Sequence, residues 1–339
     1  MKLPTRELIV SLALLGLAGT PLAQVVTLKV HHFLPPASTT HKNFIVPWCE
    51  KIAKESAGRL KCQIYPAMQM GGSPQQLYDQ VKDGVADIVW TVPSYQAGRF
   101  PVIEAYELPF MVQDSERASR GLWHYAIRNA TAEFKGVKPI LFHVHDGSLM
   151  HTTKKQIKTL EDFKGLKLRA PTRQGSKMLA ALGATPVPMP LPQAAEALSK
   201  GVIDGVMIPW EVVPAVKFDE VTKFHTEAAP GEPQMSNTVF LFGMNPAKYD
   251  ALPLELKKII DSNSGPDPSA WVGKVFADDA LPGKKSAEAR KNTIYVLPAA
   301  ELKRWEAATL SVTEEWIKDM SAKGFDGKRL FDEAKAGSK

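Results

Sequence analysis

The chain is short of the residues that metal, redox and covalent chemistry need. Among 339 residues there are two cysteines, Cys49 and Cys62. A four-thiolate zinc site or an iron–sulfur cluster is therefore excluded, and one disulfide is the most the chain can form. Blocks of like charge are missing as well. The 42 Lys and Arg against 36 Asp and Glu give a formal charge of +6, but the cations are scattered, which predicts no nucleic-acid partner and suits small anions equally well. No GxGxxG follows a strand, and GxxxxGK[ST], HExxH and GxSxG are all absent. The chain is accordingly expected not to be an enzyme and to need no cofactor; a catalytic alternative would require an unrecognised nucleophile or base. Beyond the N-terminus, no apolar run approaches the roughly 20 residues that span a bilayer.

What is there reads as an exported α/β protein. Lys2 and Arg6 precede an apolar run over residues 8–18, the layout of a secretory signal cut after Ala23, which predicts a product released outside the cytoplasm, in the periplasm. Composition is globular, 44% hydrophobic and 23% charged, and the length suits two lobes. Strands are predicted over 26–33, 60–65, 86–92 and 138–145, with helices to about Ser56, from Ser73, and around 115–130. The same alternation restarts with strand 166–170, helix 173–182, strand 185–189, helix 192–200 and strand 202–208. A strand over 236–244 follows, then mostly helix, with strand 293–297 interrupting and Leu281-Pro-Gly283 expected to break any helix running from about 268 to 291. The reading is a two-lobe α/β fold with a mostly parallel sheet in each lobe. Its boundaries are 1–23 signal peptide; 24–146 and 236–275 lobe I; 147–235 and 276–339 lobe II with the C-terminal helices.

Cys62 falls on the apolar face of its strand, and Cys49 lies about two turns before the end of the preceding helix. Two outcomes stay open, a disulfide or two buried free thiols. His143 and His145 share a strand face, with Asp146 and His151 following, a set that would either ligate a metal or hydrogen-bond a ligand. The turns 83–87 and 200–205, each with Gly followed by Asp, are helix caps. Arg169 ends its strand, where open α/β sheets place small-molecule sites. Its planar guanidinium suits a carboxylate, against the alternative of a solvated surface arginine.

At these residues a resemblance emerges. Gly165-Leu-Lys-Leu-Arg-Ala-Pro171, Ala181-Leu-Gly-Ala-Thr-Pro-Val-Pro-Met-Pro190 and Ala197-Leu-Ser-Lys-Gly-Val-Ile-Asp-Gly205 are similar, in order and spacing, to the signature of the extracytoplasmic solute receptors of TRAP transporters, the DctP family. Glu107-Leu-Pro-Phe110 and Gly84-Val-Ala-Asp87 agree in the N-terminal half. The resemblance implies a periplasmic binding protein fold with the ligand cleft between its lobes. It also implies an organic acid as ligand, delivery to the small and large membrane subunits of a permease, a monomer, and no catalysis. It makes Arg169 the residue that pairs with the ligand carboxylate, Met189 and Leu191 part of a lining loop, and Asn237 the asparagine at the start of a crossover strand. Two departures matter. Residues 146–151 lack the second arginine of many members, and Met207-Ile-Pro-Trp-Glu211 stands where many have Glu-Asn-Pro. Leu149, Ile208 and Trp210 thereby replace polar donors, which predicts an aromatic, hydroxy or keto acid rather than sialic acid or a sugar acid. Trp90 and Trp210 are candidate stacking partners, each with core packing as the alternative, and His32, Phe33 and His145 end strands of the first sheet. A metal or metal-chelate receptor using His143, His145 and His151, and a receptor feeding a sensor, are the competing readings.

Overall fold

In the computed structural model, which describes residues 25–339, alternating strands and helices build two sheets. The signal peptide read over residues 1–23 lies outside the described residues. The first sheet takes β1 (Val26–His32), β2 (Leu60–Tyr65), β3 (Ile88–Thr91) and β4 (Lys138–His143). The second takes β5 (Leu149–Thr152), β6 (Lys167–Ala170), β7 (Thr185–Pro188), β8 (Gly205–Ile208) and β9 (Phe224–Glu227); β10 (Phe240–Met244) then returns to the first, and β11 (Thr293–Val296) closes an edge of the second. Between them run α1 (Val46–Glu55), α2 (Leu77–Lys82), α3 (Ser115–Asn129), α4 (Arg173–Ala181), α5 (Leu191–Ser199) and α6 (Phe218–Val221). The C-terminal third adds α7 (Pro246–Asp250), α8 (Leu254–Ser262), α9 (Pro266–Asp278), α10 (Ala280–Ala289), α11 (Ala299–Ala322) and α12 (Gly327–Gly337).

Strand order is β2-β1-β3-β10-β4 in the first sheet and β11-β9-β5-β8-β6-β7 in the second. Pairing is parallel at β1–β2, β1–β3, β6–β7, β6–β8 and β9–β11, as βαβ crossovers require. The exceptions are β10, antiparallel to β3 and β4, and β5, antiparallel to β8 and β9. These are the two strands through which the chain passes from one sheet to the other. Just outside them the crossing segments pair, Ser148 N–H donating to the Ser236 carbonyl at 2.8 Å. This bridge ties the two crossing segments together. Central strands β3, β8 and β10 are buried at every position, because helices cover both faces.

Two expectations need correction. The break in the long C-terminal helix falls at Asp279, three residues before Pro282. Pro282 sits instead in the first turn of α10, where its missing N–H has no intrahelical acceptor to lose. The last helix also does not stay with the second lobe. While α11 packs on α4, α12 crosses back onto α3, so closely that a Cβ on Gly121 would meet the Gly337 carbonyl oxygen at 2.0 Å. The C-terminus is thus a strap across both lobes.

Cys49 on α1 and Cys62 on β2 are bonded as a disulfide with their Cα atoms 5.8 Å apart, which resolves the open choice. The ring spans a sequence separation of 13, and closing a loop near that size removes about 3 kcal/mol of unfolded-state entropy. Replacing both cysteines with serine is expected to cost about that much in urea denaturation, with no change in ligand affinity.

Candidate functional site

Beyond the carboxyl ends of β1, β3, β6 and β8 lies a narrow cavity with about 40 Å³ of free space, partly open to solvent, between the two sheets. The first lobe contributes Phe33 and Leu34 after β1, Trp90, Val92 and Tyr95 on and after β3, and Phe276 from α9. The second contributes Arg169 and Pro171, Leu191, and the segment Met207–Val212 without Trp210; His145, Ser148, Thr238 and Phe240 come from the crossing segments.

Arg169 dominates the site. Only 2% of it is exposed, so the solvated surface arginine is ruled out. Its Nε donates to the Met189 carbonyl at 2.9 Å and its Nη1 to the Met207 carbonyl at 3.2 Å. Two backbone oxygens, one after β7 and one on β8, therefore fix the guanidinium plane. Burial lowers its pKa from the ordinary arginine value, and the Tyr95 phenol beside it opposes that shift. No carboxylate of the described residues pairs with it. A buried cation of this kind is costly until an anion or hydrogen-bond acceptors satisfy it. Two carbonyls satisfy two of five N–H donors.

The opposite wall is aromatic. Trp90 is sandwiched between Phe33, at 4.9 Å and 24°, and Phe240, at 4.7 Å and 9°. Its Nε1–H donates to His143 Nε2 at 2.8 Å. His143 must then carry its proton on Nδ1, which donates to the Val144 carbonyl at 3.2 Å. Burial holds His143 neutral, with a pKa pushed down to about 3. A neutral, doubly hydrogen-bonded imidazole locks the tryptophan ring in place. Tyr95 completes the wall, its ring 5.7 Å from Phe33 and its Oη accepting from the Leu191 N–H at 3.3 Å.

The residues singled out from sequence divide cleanly. Arg169, Trp90, Phe33, His145 and Leu191 meet in the cavity wall. Trp210, Asn237, His32 and Met189 do not, and each has a local reason. Trp210 turns away, Nε1–H donating to Glu227 Oε2 at 2.8 Å with its ring edge-on to His151. It lines a separate hollow with Asp146, Leu149 and Glu227, so Leu149 is not a cavity residue either. Its carbonyl is pinned by α10, since a Cβ on Gly283 would come within 2.0 Å of it. Asn237 donates to Gln234 at 2.5 Å; in the extended chain leading to β10, the cavity-facing positions are Thr238 and Phe240. His32 is next to Phe33 and faces the other way, bonded to His41 at 3.0 Å. Met189 contributes its carbonyl rather than its side chain.

The histidines do not converge on a metal. His143 serves Trp90, while His151 belongs to β5 and meets His225, Nδ1 to Nδ1, at 2.7 Å. Among the described residues no three His, Cys, Asp or Glu lie close enough to hold an ion. Tyr95, Phe276 and Thr238 carried no sequence signal, because periodicity marks buried faces without saying which burial borders a cavity. A further link joins the lobes. Glu104, wholly buried in the turn Ile103–Glu107, accepts from Arg173 Nη2 at 2.6 Å, Arg173 Nε at 3.2 Å and Gln174 Nε2 at 2.7 Å at the start of α4.

Two α/β lobes joined by paired crossing strands, with a buried unpaired cation in the cavity between them, define a two-lobed receptor for a small anion. The family comparison agrees. Residues 30–319 match the model of the bacterial extracellular solute-binding proteins, family 7, or DctP, and the chain belongs to that family as a TRAP transporter solute-binding protein. It is similar to a TRAP solute-binding protein of Rhodoferax ferrireducens solved with copurified benzoate: 50% identity, 93% of this chain and 98% of that one, TM-score 0.92. It is similar, at 44% identity over 93% and 98% with TM-score 0.91, to one from an unidentified marine microbe, described as specific for aromatic acids and solved with 3-hydroxybenzoate. A Bordetella bronchiseptica protein with bound (R)- and (S)-mandelate shares 26% identity over 92% and 98%, with TM-score 0.85. These relatives are receptors rather than enzymes, and the family is extracytoplasmic.

Proposed function

We propose that this protein captures an aromatic monocarboxylate in the periplasm and hands it to the two membrane subunits of a TRAP permease. On this reading residues 1–23 are removed on export and the receptor works as a monomer without turning its ligand over. The observation that carries it is Arg169, buried without an internal counter-anion and facing a wall made of Trp90, Phe33, Phe240 and Tyr95. A carboxylate takes two parallel hydrogen bonds from the guanidinium, and the attached ring replaces water against the aromatic wall. A polyhydroxylated acid would leave hydroxyls unpaired at about 1–3 kcal/mol each. The ligands of the three relatives, all aromatic acids, support the same class.

Thermal shift tests the reading. Benzoate or a hydroxybenzoate at about 100 times Kd is expected to stabilise the protein by about 2.7 kcal/mol, while galactonate and sialic acid produce no shift. Stabilisation by the sugar acids and not by any aromatic acid would overturn it.

A further inference from the structure

Arg169 accounts for one pole of the cavity and leaves a second polar feature unexplained. Glu211 is in the wall, in the turn after β8, between Pro209 and Val212. It is 7% exposed, and its Oε2 is buried with no hydrogen-bond partner. No cation pairs with it among the described residues. A buried carboxyl oxygen without a partner is expensive, and the cost is explained if the partner arrives with the ligand.

Which partner follows from the surroundings. Burial holds the Glu211 pKa well above the ordinary carboxyl range, and the carboxylates of Asp146 and Asp279 push it in the same direction. In its protonated form the group presents both an O–H donor and a carbonyl acceptor. The same two carboxylates repel a second negative charge on a ligand. A hydroxyl meets both conditions, since it is neutral and both donates and accepts. A second carboxylate meets neither.

Resting on the aromatic-monocarboxylate reading, we propose that Glu211 hydrogen-bonds a hydroxyl on the ligand's ring, making hydroxylated aromatic monocarboxylates the preferred class. Glu211 is then a specificity residue: Arg169 recognises what all aromatic acids share, and Glu211 what separates them. A site built around a hydroxyl discriminates strongly against the analogue lacking it, because its own polar group is left unpaired.

Calorimetry with benzoate, 3-hydroxybenzoate, 4-hydroxybenzoate and isophthalate tests this. The wild-type protein is expected to bind at least one hydroxybenzoate about tenfold or more tighter than benzoate, and isophthalate more weakly than benzoate. The readout is the ratio of hydroxybenzoate to benzoate affinity. Glu211→Leu should bring it to near one, while Glu211→Gln, which keeps a donor and an acceptor, should preserve most of it. The wild-type ratio stands as a test even if a variant folds poorly. Benzoate binding with a wild-type ratio near one, or a ratio unmoved by Glu211→Leu, overturns the Glu211 assignment alone. Failure of the wild-type protein to bind any of these acids overturns the aromatic-monocarboxylate reading and this inference with it.

Discussion

Arg169→Lys is expected to weaken binding of an aromatic carboxylate by about 10²-fold or more, although the positive charge is kept. The guanidinium is held flat by the Met189 and Met207 carbonyls, which leaves its remaining N–H groups for the ligand. A lysine ammonium is a point donor with three protons. It cannot satisfy both carbonyls and present a parallel pair to a carboxylate. Isothermal calorimetry measures the effect; affinity within threefold of wild type would show that the carboxylate is held elsewhere.

The second large effect concerns the link between the lobes. Arg173→Ala removes the cation from Glu104, which is wholly buried and otherwise keeps only Gln174. Stranding a buried carboxylate costs about 3–5 kcal/mol, more than an exposed ion pair contributes when intact. Urea denaturation is expected to register that loss. Adding Glu104→Gln should recover a good part of it, because the amide is uncharged yet still hydrogen-bonds Gln174. If the double variant is as unstable as the two single losses added, the pair is not coupled and the assignment of the lobe link to it fails.

How far the sequence alone reached depended on what kind of burial each residue has. The parallel units were legible because β3 and β8 are buried on both faces and read as continuous apolar runs between turn signals. β5 and β9 were not, since Leu149-Met-His-Thr152 and Phe224-His-Thr-Glu227 mix polar and apolar residues without clean alternation. Their polar groups are satisfied locally, His151 by His225 and Thr226 by the Ile157 carbonyl. The position of Arg169 at a strand end was legible, but its burial was not: on spacing alone a solvated surface arginine stayed open, and the resemblance carried the choice. The placement of Trp210 was not legible, because its neighbours Pro209 and Glu211 do border the cavity while its own indole is claimed by Glu227. In a tight turn, adjacent residues point into different compartments, and the Glu227 hydrogen bond that decides between them comes from another strand. Phe276 was out of reach for a related reason. It arrives from α9, far along the chain, and helical periodicity marks it only as core.

The central claim is that one carboxylate completes the Arg169 guanidinium while its ring lies against the Trp90 wall. A crystal structure of the benzoate complex tests this most directly. The account predicts both carboxylate oxygens within hydrogen-bond distance of Arg169, at about 2.7–2.9 Å, with the ring packed against Trp90, Phe33 and Phe240. Benzoate bound with its carboxylate away from Arg169, or seated in the Trp210 hollow, would contradict it.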